Sequence, residues 1–422
     1  MQVQPVNIDT QQSLYPNDKI KDVVEFLIQH YDIRIPVQDP SKIQISCKDK
    51  DRYEFQPTFD DISLHLLSDG KNVGDSTLRK IIRSPNYLKP CDPVKEYFDR
   101  VRGQWKGESQ IDLFCKHIIA RDFGDQPEGY YQERSNKLIR KWLVACVACW
   151  LDHKHNDVAL GFISAKEGMG KTHLTQFFIP KSISEYYIKS SKDKRKFDIE
   201  DVFTRYMLIN FDELVGLDKG NFQVFKSCLG VDNILNKRRH EEFPTAKFRL
   251  GCALFNSNHN EERGGFIAEY WGDENRRIGT IEITDINREY STLVDIDQVW
   301  SEALSLYENT KFNYTFAQPD YDDFRQYNAR YVMESEAMKY VTAYMSIPDT
   351  EAEGEKLNAT QILQRLIHDK RIKSEDLKKV TVQKVGSALT QMGYAKVSYR
   401  QAGINSLHGG TAVWGYLVKF LE

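Results

Sequence analysis

The sequence lacks any long hydrophobic run. None of its apolar stretches approaches the ~20 uncharged residues that a membrane-spanning helix requires. The polar beginning, MQVQPVNIDTQQS, also lacks the apolar core of a signal peptide. We therefore expect neither a membrane span nor a secretory leader. The 41% hydrophobic and 12% aromatic content instead predicts a folded chain with sizeable cores, and 422 residues suffice for two or three domains.

Cysteine is scarce. The seven cysteines are an odd number and lie scattered through apolar segments, which excludes a disulfide scaffold and suits a reducing, cytoplasmic location. Cys146 and Cys149 form one C-x-x-C, but no second pair lies nearby. Their setting, Trp142–Trp150, is almost wholly apolar. We interpret this stretch as a core helix rather than a metal or redox site.

Net charge is also small, at −3, and indicates nothing about partners until it is divided along the chain. Residues 359–421 hold ten Lys/Arg and three Asp/Glu, a balance of +7, so the remainder carries −10. An acidic body with a basic end is typical of a nucleic-acid-binding module at the C-terminus. Ordinary solvated surface charge is the alternative.

The motif that organises the chain runs from Val158 to Leu174. An apolar strand is followed by a glycine-rich turn, and Lys171-Thr172 then opens a helix that ends before Pro180. This is the context of the phosphate-binding pattern G-x-x-x-x-G-K-[ST], with Ala165 in place of the first glycine. Lys171 would reach the β- and γ-phosphates of ATP, and Thr172 would bind Mg²⁺. The expected nucleotide contacts are Glu167, Gly168, Met169, Gly170, Lys171, Thr172 and His173.

Three further motifs follow at the ends of predicted strands. Asp212 and Glu213 end the strand Arg205–Phe211, where Asp212 would bind Mg²⁺ and Glu213 would act as general base. Asn258, after the strand Arg249–Phe255, could hold the attacking water; an Asn-rich turn is the alternative. Paired Arg276 and Arg277 suit an arginine finger or, alternatively, a surface ion pair.

The order of these motifs resembles superfamily 3 helicases of the AAA+ class, and more closely the virulence-associated protein E family of phages and mobile elements. The segment Asp92–Asp99 with Trp105-Lys106-Gly107 is similar to that family's sequence before the ATPase. The resemblance covers roughly residues 85–310. Residues 1–85 do not match it and are too few for an upstream primase, which would be a separate protein.

The resemblance implies a ring of subunits, usually a hexamer, with ATP between neighbours and single-stranded DNA in the central pore. Lys171, Thr172, Asp212, Glu213 and Asn258 would act within one subunit. Arg276 or Arg277 would act on the neighbour's nucleotide. A hairpin before the third strand would line the pore and contact DNA through Lys237, Arg238 and Arg239.

The C-terminal segment has the pattern of three helices and a hairpin, which resembles a winged helix with Thr381–Met392 as recognition helix. A small domain that only packs against the ring is the alternative. Its expected phosphate contacts are Lys378, Lys379, Lys384, Lys396 and Arg400.

The predicted fold is therefore α/β: a P-loop AAA+ core with a parallel sheet, a helical N-terminal region and a small C-terminal winged helix. The predicted segments are 1–90, of unknown role; 91–154, helical; 155–345, the ATPase core with a helical extension; 346–358, a linker; and 359–422, the DNA-binding domain. We expect a DNA-dependent ATPase, a helicase in replication of a phage or mobile element. Two alternatives stay open: an initiator that uses ATP only to assemble on DNA, and an NTP-driven switch in phage interference.

Overall fold

A computed structural model describes residues 18–53, 55–190, 198–212, 217–237, 243–268, 271, 275–401 and 411–421. The chain forms two compact units. The first holds the described residues up to Ser257 together with Arg276–Phe324, and the second holds those of Asn258–Asn275 and from Arg325 onwards. Among the described residues, no helix has the length and apolar character needed to cross a membrane.

The first unit begins with a small subdomain that has its own hydrophobic core, built from residues such as Leu27, Ile62 and Ile82. Its two strands pair as an antiparallel hairpin. The elements are α1 (Asp18–His30), β1 (Tyr31–Arg34), β2 (Gln44–Cys47), α2 (Phe59–Ser68) and α3 (Asp75–Arg83).

A helical segment follows, and its longest helix lies at the centre of the main core. Cys146 and Cys149 are buried in this helix, as predicted, and burial raises the pKa of the Cys146 thiol. Trp142 anchors the helix to the sheet, because its indole N–H donates to the Val158 carbonyl at 3.0 Å. The elements are α4 (Pro93–Val101), α5 (Gln110–Lys116), β3 (Ile118–Ala120) and α6 (Tyr130–Asp152).

The chain then alternates strands and helices, which is the predicted α/β pattern. The elements are β4 (Ala159–Ile163), α7 (Lys171–Phe177), β5 (Tyr187–Lys189), α8 (Ile199–Arg205), β6 (Leu208–Asp212), α9 (Lys219–Leu229), β7 (Asn233–Asn236), β8 (Thr245–Phe248), β9 (Cys252–Ser257), β10 (Ile278–Ile286), α10 (Tyr290–Leu293) and α11 (Ile296–Glu308).

Six strands form one sheet in the order β3-β10-β4-β9-β6-β5. Only the edge strand β3 is antiparallel to its neighbour; the other pairs are parallel. After β4 the chain crosses to the far edge at β5, whereas β10 later joins β4 on its opposite side. This reversal makes the carboxyl end of β4 a topological switch point, where open α/β sheets bind ligands. Strand β5 was not predicted, because its three residues are too few to show a hydrophobic period.

Gly161 allows the central strands β4 and β9 to pack, because the Phe255 ring covers it. A Cβ added at Gly161 would lie 1.8 Å from Phe255 Cζ, and Gly161 and Phe255 are direct register partners. Neither fully paired strand can move aside. We therefore expect Gly161→Ala to lower the free energy of unfolding by about 3 kcal/mol, measured by urea denaturation.

The matched control is Gly220→Ala in α9, where the added Cβ would meet only Asp218 Oδ1, at 3.5 Å. Alanine favours a helix over glycine, so this variant should be as stable as the parent or slightly more stable. Equal stability of both variants would show that the strands accommodate the extra methyl group.

The second unit has its own core around residues such as Val341, Leu366 and Leu389. Its long final strand pairs with three shorter ones. The remaining elements are α12 (Gln318–Asn328), which begins in the first unit, then α13 (Glu336–Tyr344), β11 (Met345–Ser346), β12 (Glu355–Leu357), α14 (Ala359–His368), α15 (Val382–Gln391), β13 (Lys396–Gln401) and β14 (Thr411–Phe420).

The structure differs from the sequence analysis at the predicted linker 346–358. Strands β11 and β12 begin and end this stretch, and both pair with β14. Gly354 lies against Leu417, where a Cβ would approach to 2.8 Å. The stretch is thus part of the second unit. Pro348, Gly354 and several acids suggested a linker, but Leu357 packs against the core of the second unit.

A second difference concerns the three helices predicted for the C-terminal segment, because the middle one is replaced by turns at residues 374–379. These residues form hydrogen-bonded turns, because only isolated bonds such as Lys379 N–H to the Asp376 carbonyl are present. The next helix agrees with the prediction: α15 has Thr381 as N-cap and Met392 as C-cap.

Candidate nucleotide-binding site

The glycine loop, defined here as residues 164–170, connects β4 to α7 at the carboxyl end of the sheet. Gly168 and Gly170 adopt φ values of 71° and 104°, in the left-handed region that favours glycine. A Cβ at Gly168 would have no neighbour within 4 Å. The loop therefore curls into an open turn next to the switch point of the sheet.

Lys171 places a cation inside this turn. The residue is 7% exposed, and its Nζ donates to the carbonyl oxygens of Ser164 at 3.2 Å and Lys166 at 3.3 Å. Burial of an ammonium group is costly unless anions or dipoles compensate it. A phosphate in this turn would meet a preplaced positive charge, so the residues present fit the predicted ligand.

Arg288 adds a second cation that the sequence analysis missed. It lies two residues after β10, and its Nη2 donates to the Gly168 carbonyl at 2.9 Å. A Cβ at Gly170 would lie 3.4 Å from Arg288 Nε, so the guanidinium rests directly on the glycine loop. The sequence carries no signal for this contact, because the parallel pairing of β10 with β4 creates it.

The next two predicted nucleotide residues have partners within the same unit. His173 Nδ1 lies 2.7 Å from the Tyr290 hydroxyl, and burial raises the pKa of Tyr290 to about 12. The Thr172 carbonyl accepts a hydrogen bond from Thr175 Oγ1 at 2.9 Å. Met169 is buried, whereas Glu167 is exposed at the outer side of the turn.

Asp212 ends β6, where the sequence predicts a metal ligand. Its Oδ2 forms an ion pair with Lys189 Nζ at 2.7 Å, and its backbone N–H donates to Ser190 Oγ. Lys189 belongs to the strand that sequence reasoning missed. Asp212 is exposed, so its carboxylate is accessible to a cation. Glu213, the predicted general base, lies outside the described residues.

A buried amide pair lies beside Asp212. Asn256 is the register partner of Asp212 on β9, and its Nδ2 lies 3.3 Å from Asn210 Oδ1. Asn210 in turn donates to Thr175 Oγ1 at 2.9 Å. Asn256 Oδ1 is buried and has no hydrogen-bond partner among the described residues. The predicted residue, Asn258, comes one position after β9 ends and falls in the second unit.

The Mg²⁺ prediction is compatible with this donor set. Among the described residues there is no group of three or more His, Cys, Asp and Glu that could hold a metal ion. Magnesium, however, is commonly bound by one or two carboxylates together with substrate phosphates and water. Thr172 and Asp212 would supply the protein oxygens.

The structure separates the two arginines of the predicted finger. Arg277 Nη1 donates to the Lys226 carbonyl at 3.0 Å, and its guanidinium covers Gly230 at the end of α9. The Arg276 guanidinium lies 5.8 Å from the centre of the Tyr321 ring. Neither of these contacts involves the glycine loop of the same chain.

The predicted hairpin is present, formed by antiparallel β7 and β8. Lys237 is exposed directly after β7, whereas Arg238 and Arg239 lie outside the described residues. The hairpin also exposes large apolar side chains: Leu235 is 68% and Phe243 is 73% accessible. Sequence reasoning missed these two residues, although an aromatic residue beside consecutive cations is a usable signal.

The predicted phosphate contacts of the second unit differ in whether other residues already engage their charge. Lys379 Nζ is paired with Asp376 Oδ1 at 2.9 Å, and Lys396 lies 6.0 Å from the Tyr416 ring centre. The exposed side chains of Lys378, Lys384 and Arg400 form no ion pair with another described residue. These three are therefore better placed to meet phosphates.

The sheet, the glycine loop and its buried lysine define an α/β protein with a candidate anion site at a topological switch point. Residues 99–333, more than half of the chain, match the virulence-associated protein E-like domain family. The chain belongs to that family. A comparison with curated proteins finds no match.

Two similar solved structures share 11% sequence identity with the chain. One is the apo structure of the NrS-1 C-terminal region, residues 305–718, with a TM-score of 0.45. The other is the A form of the same region, with a TM-score of 0.43. Each alignment covers 96% of this chain and 100% of the other. At such low identity and TM-scores, neither likeness defines a function.

Proposed function

We propose that this protein is a DNA-dependent ATPase that assembles as a ring and acts as a helicase in replication of a phage or mobile element. The observation that carries the proposal is the Lys171 ammonium buried within the glycine loop at the switch point of the sheet. Membership of the virulence-associated protein E-like family supports the biological setting.

Nucleotide binding follows from the cations around the glycine loop. The triphosphate would displace the loop carbonyls from Lys171 Nζ, exchanging neutral acceptors for charged ones. Arg288, already in contact with Gly168, would neutralise a further phosphate oxygen. Thr172 and Asp212 would hold Mg²⁺, which would supply further positive charge to the bound triphosphate. Lys189 would then lose its ion pair with Asp212. The contacts of β5 would therefore depend on whether the site holds nucleotide and Mg²⁺.

Hydrolysis requires a base and a group that orients water. Glu213 follows Asp212 directly and would take the proton of the attacking water. Asn258 would hold that water, as the family resemblance implies. Asn256 has a different role in this proposal: its amide bonds Asn210 and connects β9 to β6 and α7, so that it keeps the strand ends in register.

Of the two arginines, Arg276 is the better candidate for a finger that acts on a neighbouring subunit. Arg277 is engaged with Lys226 and Gly230 of its own chain. No described residue accepts a hydrogen bond from Arg276, whose aromatic contact could be exchanged for a phosphate.

Arg276→Ala should therefore bind ATP yet hydrolyse it about 10³-fold more slowly, whereas Arg277→Ala should chiefly lower thermal stability. Mixing Arg276→Ala with Lys171→Ala should restore part of the ATPase activity, because each subunit supplies what its neighbour lacks. Steady-state ATP turnover of the mixtures measures this. Absence of rescue, with both variants assembling normally, would refute a finger that acts between subunits.

DNA contact is assigned to the hairpin of β7 and β8. Its cations Lys237, Arg238 and Arg239 would meet phosphates, while exposed Phe243 offers a face on which a base can stack. In the second unit, α14, α15 and the β13–β14 hairpin support a winged-helix-like module. Lys378, Lys384 and Arg400 are its proposed phosphate contacts.

Two experiments test the assembly and the unwinding activity. The mass of the protein in solution with ATP should correspond to a ring, and strand separation of a forked duplex should require hydrolysis. A protein that forms ATP-dependent assemblies on DNA but never separates the strands would be an initiator instead. An ATP hydrolysis rate that is the same with and without DNA would favour an NTP-driven switch.

A further inference from the structure

The N-terminal subdomain, residues 18–90, carries a segregated positive surface. It contains twelve Lys/Arg and twelve Asp/Glu in total, so it is neutral as a whole. Residues 76–91 nevertheless hold four of those cations and no acid. All of helix α3 except its first residue, Asp75, lies in this acid-free stretch. The charge is thus separated within a small folded body whose average charge gives no hint of it.

Helix α3 presents the cations along one stripe. Its buried face is formed by Leu78, Ile81 and Ile82. The outer face carries Ser76, Arg79, Lys80 and Arg83, all exposed. These positions follow the i, i+3, i+4, i+7 spacing of one helix face. A shallow open recess of about 700 Å³ is lined by Ser76, Arg79, Lys80, Arg83 and Ser84.

No carboxylate of the described residues pairs with the cations of this stripe, although cations elsewhere in the subdomain are paired. Lys71 bonds Asp69 at 2.6 Å, for example, and Arg34 pairs with Glu96. Arg79 is instead held over the Phe59 ring, 4.5 Å from its centre, which fixes the guanidinium without neutralising it.

The support of α3 is rigid. Helix α2 has a complete capping box at Thr58 and Asp61, and six residues, 69–74, join it to α3. Ser63 of α2 donates to Asp75 Oδ1 at 2.9 Å, which ties the two helices together and engages the one acid of α3. The two helices are thus held together, and the second presents its cations to solvent.

We propose that α3 is a binding surface for the phosphate backbone of double-stranded DNA, a contact separate from the glycine loop and from the β7–β8 hairpin. The nine-residue helix is about 13 Å long, and a duplex carries one phosphate charge about every 1.7 Å along its axis, so each of the three cations can meet a phosphate. The recess is lined by no aromatic residue on which an unpaired base could stack. These features favour a duplex over a single strand. The subdomain would hold the unmelted duplex while the hairpin contacts one strand.

The test uses the full chain and a blunt duplex of about 20 base pairs without nucleotide, with binding followed by fluorescence anisotropy across a salt series. The variant Arg79→Gln, Lys80→Gln, Arg83→Gln should lose at least about tenfold in duplex affinity. Its log–log salt slope should become shallower by up to about 0.9 for each phosphate contact removed.

The matched control removes three exposed cations of the same subdomain: Lys19→Gln, Lys21→Gln, Lys50→Gln. It makes the same change in net charge and should bind the duplex as the parent does. Equal binding by both triple variants would overturn the proposal, and so would a loss of the same size on a single strand of equal length. Loss of binding to anionic phospholipid vesicles alone would overturn it in favour of a membrane surface.

Three further variants guard against misfolding and separate this proposal from the proposed function. The triple variant Arg79→Lys, Lys80→Arg, Arg83→Lys keeps every charge and should retain duplex affinity. Lys80→Gln alone should make the log–log salt slope shallower by about one third as much as the triple glutamine variant does. Lys171→Ala should bind the duplex like the parent, because α3 does not depend on nucleotide. If the protein hydrolyses no ATP, duplex binding by α3 can still be tested. If α3 does not bind the duplex, ATP hydrolysis can still be tested.

Discussion

Lys171→Ala is expected to lower ATP turnover by at least about 10²–10³-fold and to weaken nucleotide binding. The variant removes the cation that the glycine loop holds at 7% exposure, and alanine cannot restore a positive charge there. Hydrolysis is measured by phosphate release, and binding by displacement of a fluorescent ATP analogue. Arg288→Ala should show a smaller loss, because its guanidinium is exposed at the edge of the loop.

The control for this prediction lies on the same loop. Lys166 is exposed and offers only its carbonyl to Lys171, so Lys166→Ala should keep ATP turnover near the parent value. Glu213→Gln should separate the two steps by retaining ATP while nearly abolishing hydrolysis. Normal turnover by Glu213→Gln would show that the general base is another residue, and normal turnover by Lys171→Ala would refute the nucleotide site itself.

Replacing Lys237, Arg238 and Arg239 together by alanine is expected to remove stimulation by single-stranded DNA. Three consecutive cations between β7 and β8 would meet several phosphates, and each single-strand contact contributes about 0.7 to the log–log salt slope. The slope should therefore become shallower by about 2. The ratio of ATPase rates with and without DNA should fall towards one.

A matched control removes Lys116, Lys181 and Lys311, which are exposed cations of the same unit outside the proposed sites. This triple variant changes net charge equally and should keep the parent slope. If the hairpin variant retains full stimulation and an unchanged slope, the hairpin does not hold DNA. The second unit, through Lys378, Lys384 and Arg400, would then become the principal contact.

Much of the central unit could be predicted from sequence, because its signals are local. An apolar strand, two glycines and Lys171 in succession predicted the strand, loop and helix that the structure has. The same holds for Asp212 at the end of β6. In each case a short stretch of sequence already contains the residues that fix its conformation.

The contacts that were not predicted depend on which strands become neighbours in the sheet. Lys189 reaches Asp212 because β5 pairs with β6, and Arg288 reaches the glycine loop because β10 pairs with β4. Asn256, rather than Asn258, lies inside β9, because the strand continues two residues beyond its last aromatic side chain. Local sequence patterns do not show which strands are adjacent in the sheet. The positions of Arg276 and Arg277 also depend on that strand order.

The most direct test of the central claim is the rate of ATP hydrolysis by the full chain, measured with and without single-stranded DNA. We predict a magnesium-dependent activity that single-stranded DNA accelerates and that Lys171→Ala abolishes in both conditions. A parent protein that binds and hydrolyses no ATP in either condition, or whose hydrolysis is unchanged by Lys171→Ala, would contradict it.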